Sequence, residues 1–344
     1  MQTRPAESSK MRNKWLTQPI QTTALSSTAK PKAPLKARFW LGRSLWFLFF
    51  STACCTLGYV FFNQLSVGYL TLLFAAALFA ALQSVRIFFL EGLLIPCDHE
   101  KCPPAVGYTL GNKASRRCAI LIHGFADTPE AWRRQAFWLA QHGWFVIVPL
   151  ISHDVGADAW ISEIVRILHQ ARKQHTVVTL WGHSLGGAIA AVAAEQAPPD
   201  ALFLLAPFCA PFLGSHIVNL LFFFYRLLFW GDMMPTGFPA NRRAKGSPCG
   251  HYRVRRVIPK KTFAAMLKLP KRLRHLNLSC PITLLLPYHD TVVDTSATLR
   301  LFPAATCRWA TNPTASHALT NAADWQSDLS TLIQTLPNEI RTSL

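Results

Sequence analysis

The sequence predicts an α/β fold: a mostly parallel sheet with helices on both faces, an inserted cap, and an N-terminal transmembrane helical hairpin. Three observations predict it. Short apolar runs rich in β-branched residues alternate with helix-forming stretches, as in an α/β domain. One such run, Val177 to Trp181, passes through "GHSLGG" straight into Ala188 to Ala194, a strong helix former. Before the first of these runs, Ser44 to Phe62 and Leu65 to Leu82 are nineteen and eighteen residues without a charge, each long enough to cross a bilayer core as a helix.

The chain has 344 residues, 51% of them hydrophobic and only 15% charged, a low charged share for a soluble protein. Residues 1–38 carry eight Lys or Arg and one acid, Glu7, among many Ser, Thr, Pro and Gln. Such a stretch cannot bury enough apolar surface to fold, so a disordered basic tail is expected. Residues 39–95 follow as the transmembrane hairpin, about 44–62 and 65–82, with only Asn63 and Gln64 between the spans. A cleaved signal peptide fits less well, because the apolar region starts late, runs long and is repeated. Basic charge holds a tail on the cytoplasmic side. Two crossings then return the remaining domain, 96–344, to the cytoplasm; a single crossing would leave it outside. The nine cysteines do not decide between these. Cys97 and Cys102 are close enough to pair in an oxidising compartment, whereas the odd total favours reduced thiols.

Within 96–344 the first informative strand is Cys118 to Ile122, ending in His123-Gly124-Phe125. The next is Phe145 to Leu150, followed by His153 and Asp154. The third, Val177 to Trp181, precedes Ser184, which stands between a buried strand and a helix. A serine there sits on a sharp turn, and Gly182 and Gly186 remove side chains that would strike the adjoining elements. The pattern is G-x-S-x-G, the nucleophile elbow. A helix N-terminus also aims free N–H groups at the space beside the hydroxyl. A serine hydroxyl is a poor nucleophile until a base takes its proton, so the rest of the chain must supply a base and an acid to orient it. Downstream, the strand Ile282 to Leu286 leads to a loop with Asp290 and Asp294, and a further apolar stretch leads to His317 in Ser-His-Ala-Leu.

Taken together, these pieces resemble the α/β-hydrolase superfamily, in particular its esterases and monoglyceride-lipase-like members, over about residues 105 to 340. The resemblance implies a catalytic triad in the chain order Ser184, Asp290, His317, with Asp294 as the alternative acid. It implies an oxyanion hole made by the N–H groups of Phe125 and Leu185, and a packing role for His123. The chain departs from the family pattern after the second strand, where many members carry Gly-His-Gly. His183 lies inside the elbow and has no catalytic role in this reading.

After "ALFLLAPF", Ala201 to Phe208, the next core strand begins only at Ile282. The interval, about 211–278, is where the superfamily inserts a cap or lid. It starts with "HIVNLLFFFYRLLFW", residues 216–230, which is too short to span a membrane and nearly apolar all round. This is either a buried lid helix or one that lies in a membrane interface. Residues 233–280 then hold twelve Lys or Arg and no acid, and with the tail they account for the net charge of +18. Nucleic acid is a poor fit for these two segments, which adjoin membrane-seeking sequence and lack interleaved aromatics on a recognisable nucleic-acid fold. Anionic lipid headgroups fit better. No metal is implied, since histidines occur singly and cysteines lack paired spacing, and no dinucleotide loop follows a strand. No cofactor is expected, and the oligomeric state is not legible.

The expected protein is therefore a membrane-anchored serine hydrolase cleaving carboxylic esters, lipid-like ones such as a monoacylglycerol or lysophospholipid, through an acyl-enzyme. A thioesterase, acyltransferase or peptidase would use the same triad, and a non-catalytic membrane scaffold would use the same fold.

Overall fold

The computed structural model describes residues 78, 106–153, 155–228, 232–235, 241–243, 251–253, 257–322 and 324–338. Apart from residue 78, the expected tail and hairpin lie outside the described residues, and among the described residues no helix is long and apolar enough to cross a membrane.

Apolar runs form the strands, and backbone chemistry ends them. In chain order the elements begin with β1 (Tyr108–Leu110), β2 (Arg117–Ile122), α1 (Arg133–Gln141), β3 (Phe145–Val148) and α2 (Ala157–Arg172). They continue with β4 (Val177–His183), α3 (Leu185–Gln196) and β5 (Ala201–Leu205). The run expected to reach Leu150 stops at Val148 because Pro149 has no N–H to donate. The run expected to reach Phe208 stops at Leu205, where Ala206 turns into the left-handed region at φ 42° and Pro207 follows. After the inserted segment come β10 (Ile282–Leu286), α6 (Thr295–Leu301), β11 (Thr306–Trp309) and α7 (Trp325–Gln334).

The strands form one seven-stranded sheet in the order β1-β3-β2-β4-β5-β10-β11. Only the edge strand β1 is antiparallel, to β3; the other pairings are parallel. Parallel strands buried on both faces explain the unbroken apolar runs. α3 is buried from Leu185 to Ala194, as its apolar sequence there requires, and only its last two residues, Glu195 and Gln196, are exposed. It packs on β4 and β5 and is flanked by α2. α2 turns Trp160, Ile161, Ile164, Ile167, Leu168 and Ala171 inward at helical spacing.

The insertion comprises α4 (Ser215–Leu228), two small antiparallel ribbons, and α5 (Lys260–Leu273). The ribbons pair β6 (Met233–Pro235) with β9 (Val257–Pro259), and β7 (Asn241–Arg243) with β8 (His251–Arg253). The two helices do different things. α5 sets Met266, Leu269 and Leu273 into the main core and packs on α3 and α2. α4 buries Phe222 but exposes Ile217, Leu220, Leu221, Phe223 and Phe224.

Because six strands run the same way, their carboxyl ends share one edge of the sheet. The loops after β2, β3, β4, β5, β10 and β11 converge there, which is where open parallel sheets place their ligands.

Candidate active site

The site begins with the turn between β4 and α3. Ser184 sits on it at φ 54°, ψ −118°, a conformation costly for a residue with a Cβ. It is held on both sides: its N–H donates to Leu205 O at 3.0 Å, and its carbonyl accepts from Gly187, Ala188 and Phe208. A Cβ at Gly182 would strike the Gly186 backbone, and one at Gly186 would strike the carbonyls of Ile122 and His123. Both glycines are therefore required for the elbow to approach the end of β2.

Ser184, Asp290 and His317, far apart in sequence, meet in one hydrogen-bonded line. His317 Nε2 lies 2.8 Å from Ser184 Oγ, and its Nδ1 lies 2.8 Å from Asp290 Oδ2. An ionised carboxylate only accepts, so the proton sits on Nδ1 and Nε2 is left to accept from the serine hydroxyl. The other oxygen, Asp290 Oδ1, accepts from the N–H of Val292 at 2.8 Å and of Val293 at 2.9 Å. Burial alone would push the Asp290 carboxyl up. The His317 hydrogen bond and charge, with the two N–H donors, outweigh it and hold the group below its ordinary range. All three residues are less than a tenth exposed. Asp294 is elsewhere: its carboxylate caps α6 through Ala297 N–H at 3.1 Å and faces Arg300 at 3.6 Å.

Phe125 and Leu185 lie on the two backbone segments that flank the serine. Leu185 opens α3, so its N–H is one of those that helical geometry leaves without an intrahelical acceptor. Phe125 lies in the turn Gly124–Asp127, closed by Asp127 N–H to Gly124 O at 3.2 Å. That turn is pressed on the elbow: a Cβ at Gly124 would lie 3.3 Å from Ser184 Cβ.

Three more buried histidines surround the line. His123 Nε2 accepts from Ile151 N–H at 3.0 Å, so its proton is on Nδ1, which donates to Gly124 O at 3.0 Å. This ties the loops after β2 and β3 together, matching the packing role expected of it. His183 Nε2 donates to the carbonyl of His317 at 2.8 Å, and its Nδ1 lies 3.9 Å from Asp127 Oδ2. It pins the loop that carries His317, a function its place in the elbow did not reveal. His153 Nε2 accepts from Ala126 N–H at 3.0 Å. Gln135 Nε2 completes the support by donating to Thr320 O at 2.8 Å, just beyond His317. Apart from the His123–Gly124 bond, these contacts join residues distant in sequence, and no local pattern signals them.

The Alpha/beta hydrolase family matches the chain over residues 119–337. No curated protein matches the chain in sequence. Among solved structures, it is similar to one described with LipS and LipT, two metagenome-derived lipolytic enzymes. The identity is 19%, over 68% of this chain and 98% of that one, with a TM-score of 0.56. It is similar to a soluble variant of monoglyceride lipase from Saccharomyces cerevisiae in complex with a substrate analog: 13% identity, 68% and 91% coverage, TM-score 0.54. It is also similar to the monoacylglycerol lipase of Paleococcus ferrophilus: 18% identity, 67% and 97% coverage, TM-score 0.52. At these identities the likeness is one of fold.

Proposed function

The chain belongs to the alpha/beta hydrolase family, and we propose that it is a membrane-anchored serine hydrolase that cleaves lipid-like carboxylic esters, such as a monoacylglycerol or lysophospholipid, through an acyl-enzyme. The observation that carries this reading is the hydrogen-bonded line Ser184–His317–Asp290 at the carboxyl edge of the sheet. His317 Nε2 takes the proton of Ser184 Oγ as the oxygen attacks the ester carbonyl carbon. The N–H groups of Phe125 and Leu185 receive the developing oxyanion. Asp290 keeps His317 in the accepting tautomer and stabilises the imidazolium. Collapse of the tetrahedral intermediate breaks the C–O bond to the leaving alcohol, which takes the proton from His317. Water, deprotonated in turn by His317, attacks the acyl-enzyme and releases the acid.

The preference for a long acyl chain rests on the surface beside the site. Phe212 and Leu213 lead into α4, whose Ile217, Leu220, Leu221, Phe223 and Phe224 are all about half exposed or more. An apolar patch of this kind on one helix marks an interaction surface. The occupant we propose is the lipid bilayer. Residues 44–62 and 65–82 anchor the chain, and the twelve basic residues between Arg242 and Arg274 lie on anionic headgroups with the domain in the cytoplasm. The test is turnover of p-nitrophenyl esters of graded chain length by the full-length protein and by Ser184→Ala. Hydrolysis that rises with chain length and vanishes in the variant supports the reading. Equal hydrolysis by both proteins refutes it.

A further inference from the structure

Resting on that reading, the inference concerns how the oxyanion loop keeps its shape. Gly124–Asp127 is a four-residue turn with Ala126 at its third position and φ 60° there. A positive φ at the third position, with Phe125 outside the positive region, is the geometry of a type II turn, which favours glycine at that place. An alanine there is strained, and left alone the turn would relax by flipping the Phe125–Ala126 peptide plane into a type I form. The N–H of that plane is the one His153 Nε2 accepts, at 3.0 Å, and His153 is 1% exposed. Because Ala126 N–H must donate, His153 carries its own proton on Nδ1.

His153 is in turn held by the insertion. The hydroxyl of Thr262, fully buried in the first turn of α5, donates to the His153 carbonyl. The next residue, Phe263, sets its ring edge-on to the Phe125 ring at 5.9 Å between centroids. On its other side Phe263 meets Phe222 of α4 at 4.9 Å. Side chains in contact therefore run from the exposed apolar helix to the loop that carries the oxyanion donor.

We propose that His153 is a positioning residue: by accepting the Ala126 N–H it holds the strained turn Gly124–Asp127 in one shape, and with it the Phe125 backbone beside Ser184, while α5 holds His153 through Thr262 and braces the Phe125 ring through Phe263. Loss of this grip removes a donor that matters in the transition state more than in the bound ester, so it lowers kcat and spares KM.

The experiment uses full-length wild type, His153→Ala, His153→Gln and Thr262→Val. It reads kcat per titrated active site, KM for a p-nitrophenyl ester, and Ki for a trifluoromethyl ketone, whose adduct with Ser184 bears an oxyanion. For His153→Ala the expected result is a fall in kcat of roughly 100-fold, the typical loss of one oxyanion donor. Ki rises in parallel and KM stays within about twofold. His153→Gln, whose amide oxygen reaches the place of Nε2, recovers most of both losses, and Thr262→Val falls between. A purely structural role would lower thermal stability and the number of active sites but leave Ki unchanged. Wild-type kcat and Ki in His153→Ala would overturn the proposal. If His153→Ala does not fold, Thr262→Val decides: a raised Ki at unchanged KM supports the proposal, and a wild-type Ki overturns it. Wild type that neither hydrolyses the ester nor binds the ketone would overturn the hydrolase reading itself, and this inference with it.

Discussion

Asp290 and Asp294 are four positions apart, both in a loop past a strand, and spacing alone does not separate them. Contact does: Asp290 faces His317 Nδ1, whereas Asp294 caps a helix. Asp290→Asn replaces a pure acceptor with a group that can favour the wrong tautomer, so kcat for an ester should fall by about 10⁴-fold, as in other triads. Asp294→Asn keeps a good N-cap and should leave kcat within about twofold and stability within ~0.5 kcal/mol. A dead Asp294→Asn beside a live Asp290→Asn would move the acid. The Asp290 carboxyl also links stability to pH. The fold lowers its pKa, so its contribution is complete above its unfolded value, about 3.9, and is lost as pH falls through the lower folded value. Urea midpoints measured from pH 7 down to pH 3 should therefore drop less steeply in Asp290→Asn than in wild type; identical slopes would mean that the carboxyl is not held ionised by the fold. His317 and Ser184 were legible because each follows a strand in a known order. The roles of His183 and His153 were not, since both depend on partners more than a hundred residues away or in another loop: His317 O for one, Ala126 N–H and Thr262 for the other.

At the level of elements, the elbow shows how far local sequence reaches. Val177 to Trp181, the glycines and the alanine-rich run dictate strand, turn and helix with little ambiguity, and β4 and α3 meet at Ser184. Gly186→Ala should be severe, because the new Cβ meets backbone rather than a side chain that can rotate away. Overpacking of this sort costs about 1–3 kcal/mol or more, so the melting temperature should fall by several degrees together with activity. A variant as stable as wild type would show that the turn tolerates a Cβ. Less was legible in the insertion. Its ribbons are three residues long, below the length at which alternation can be read. α4 is apolar nearly all round in sequence, so which side is buried depends on what α5 offers: Phe263 takes Phe222 and leaves Phe223 and Phe224 outside. Two variants separate the faces. Phe222→Ala should destabilise by about 3 kcal/mol or more, as buried phenylalanines do. Phe223→Ser with Phe224→Ser should leave the thermal midpoint unchanged and reduce turnover of long-chain esters in vesicles more than of short soluble ones. Loss of stability in the double variant would place that face in a packed core instead.

On the scale of the whole molecule, the charge map and the apolar segments point the same way. A domain near neutral is joined to a basic tail, two uncharged spans and a basic insertion. Such a chain should hold its catalytic edge against an anionic bilayer. A version lacking residues 1–95 is expected to sediment with anionic vesicles at low salt and to release as salt screens the headgroup attraction. Failure to sediment at low salt would detach α4 and the basic insertion from membrane binding. A reporter after Leu344 is expected in the cytoplasm; one found on the far side would mean a single crossing. The catalytic expectations stand on Ser184 being an activated nucleophile, and the most direct measurement is the mass of the intact full-length protein after brief exposure to a fluorophosphonate. One adduct is predicted, mapped to Ser184, absent from Ser184→Ala and formed far more slowly in His317→Ala. No adduct on the folded wild type, or an adduct that persists in Ser184→Ala, would contradict it.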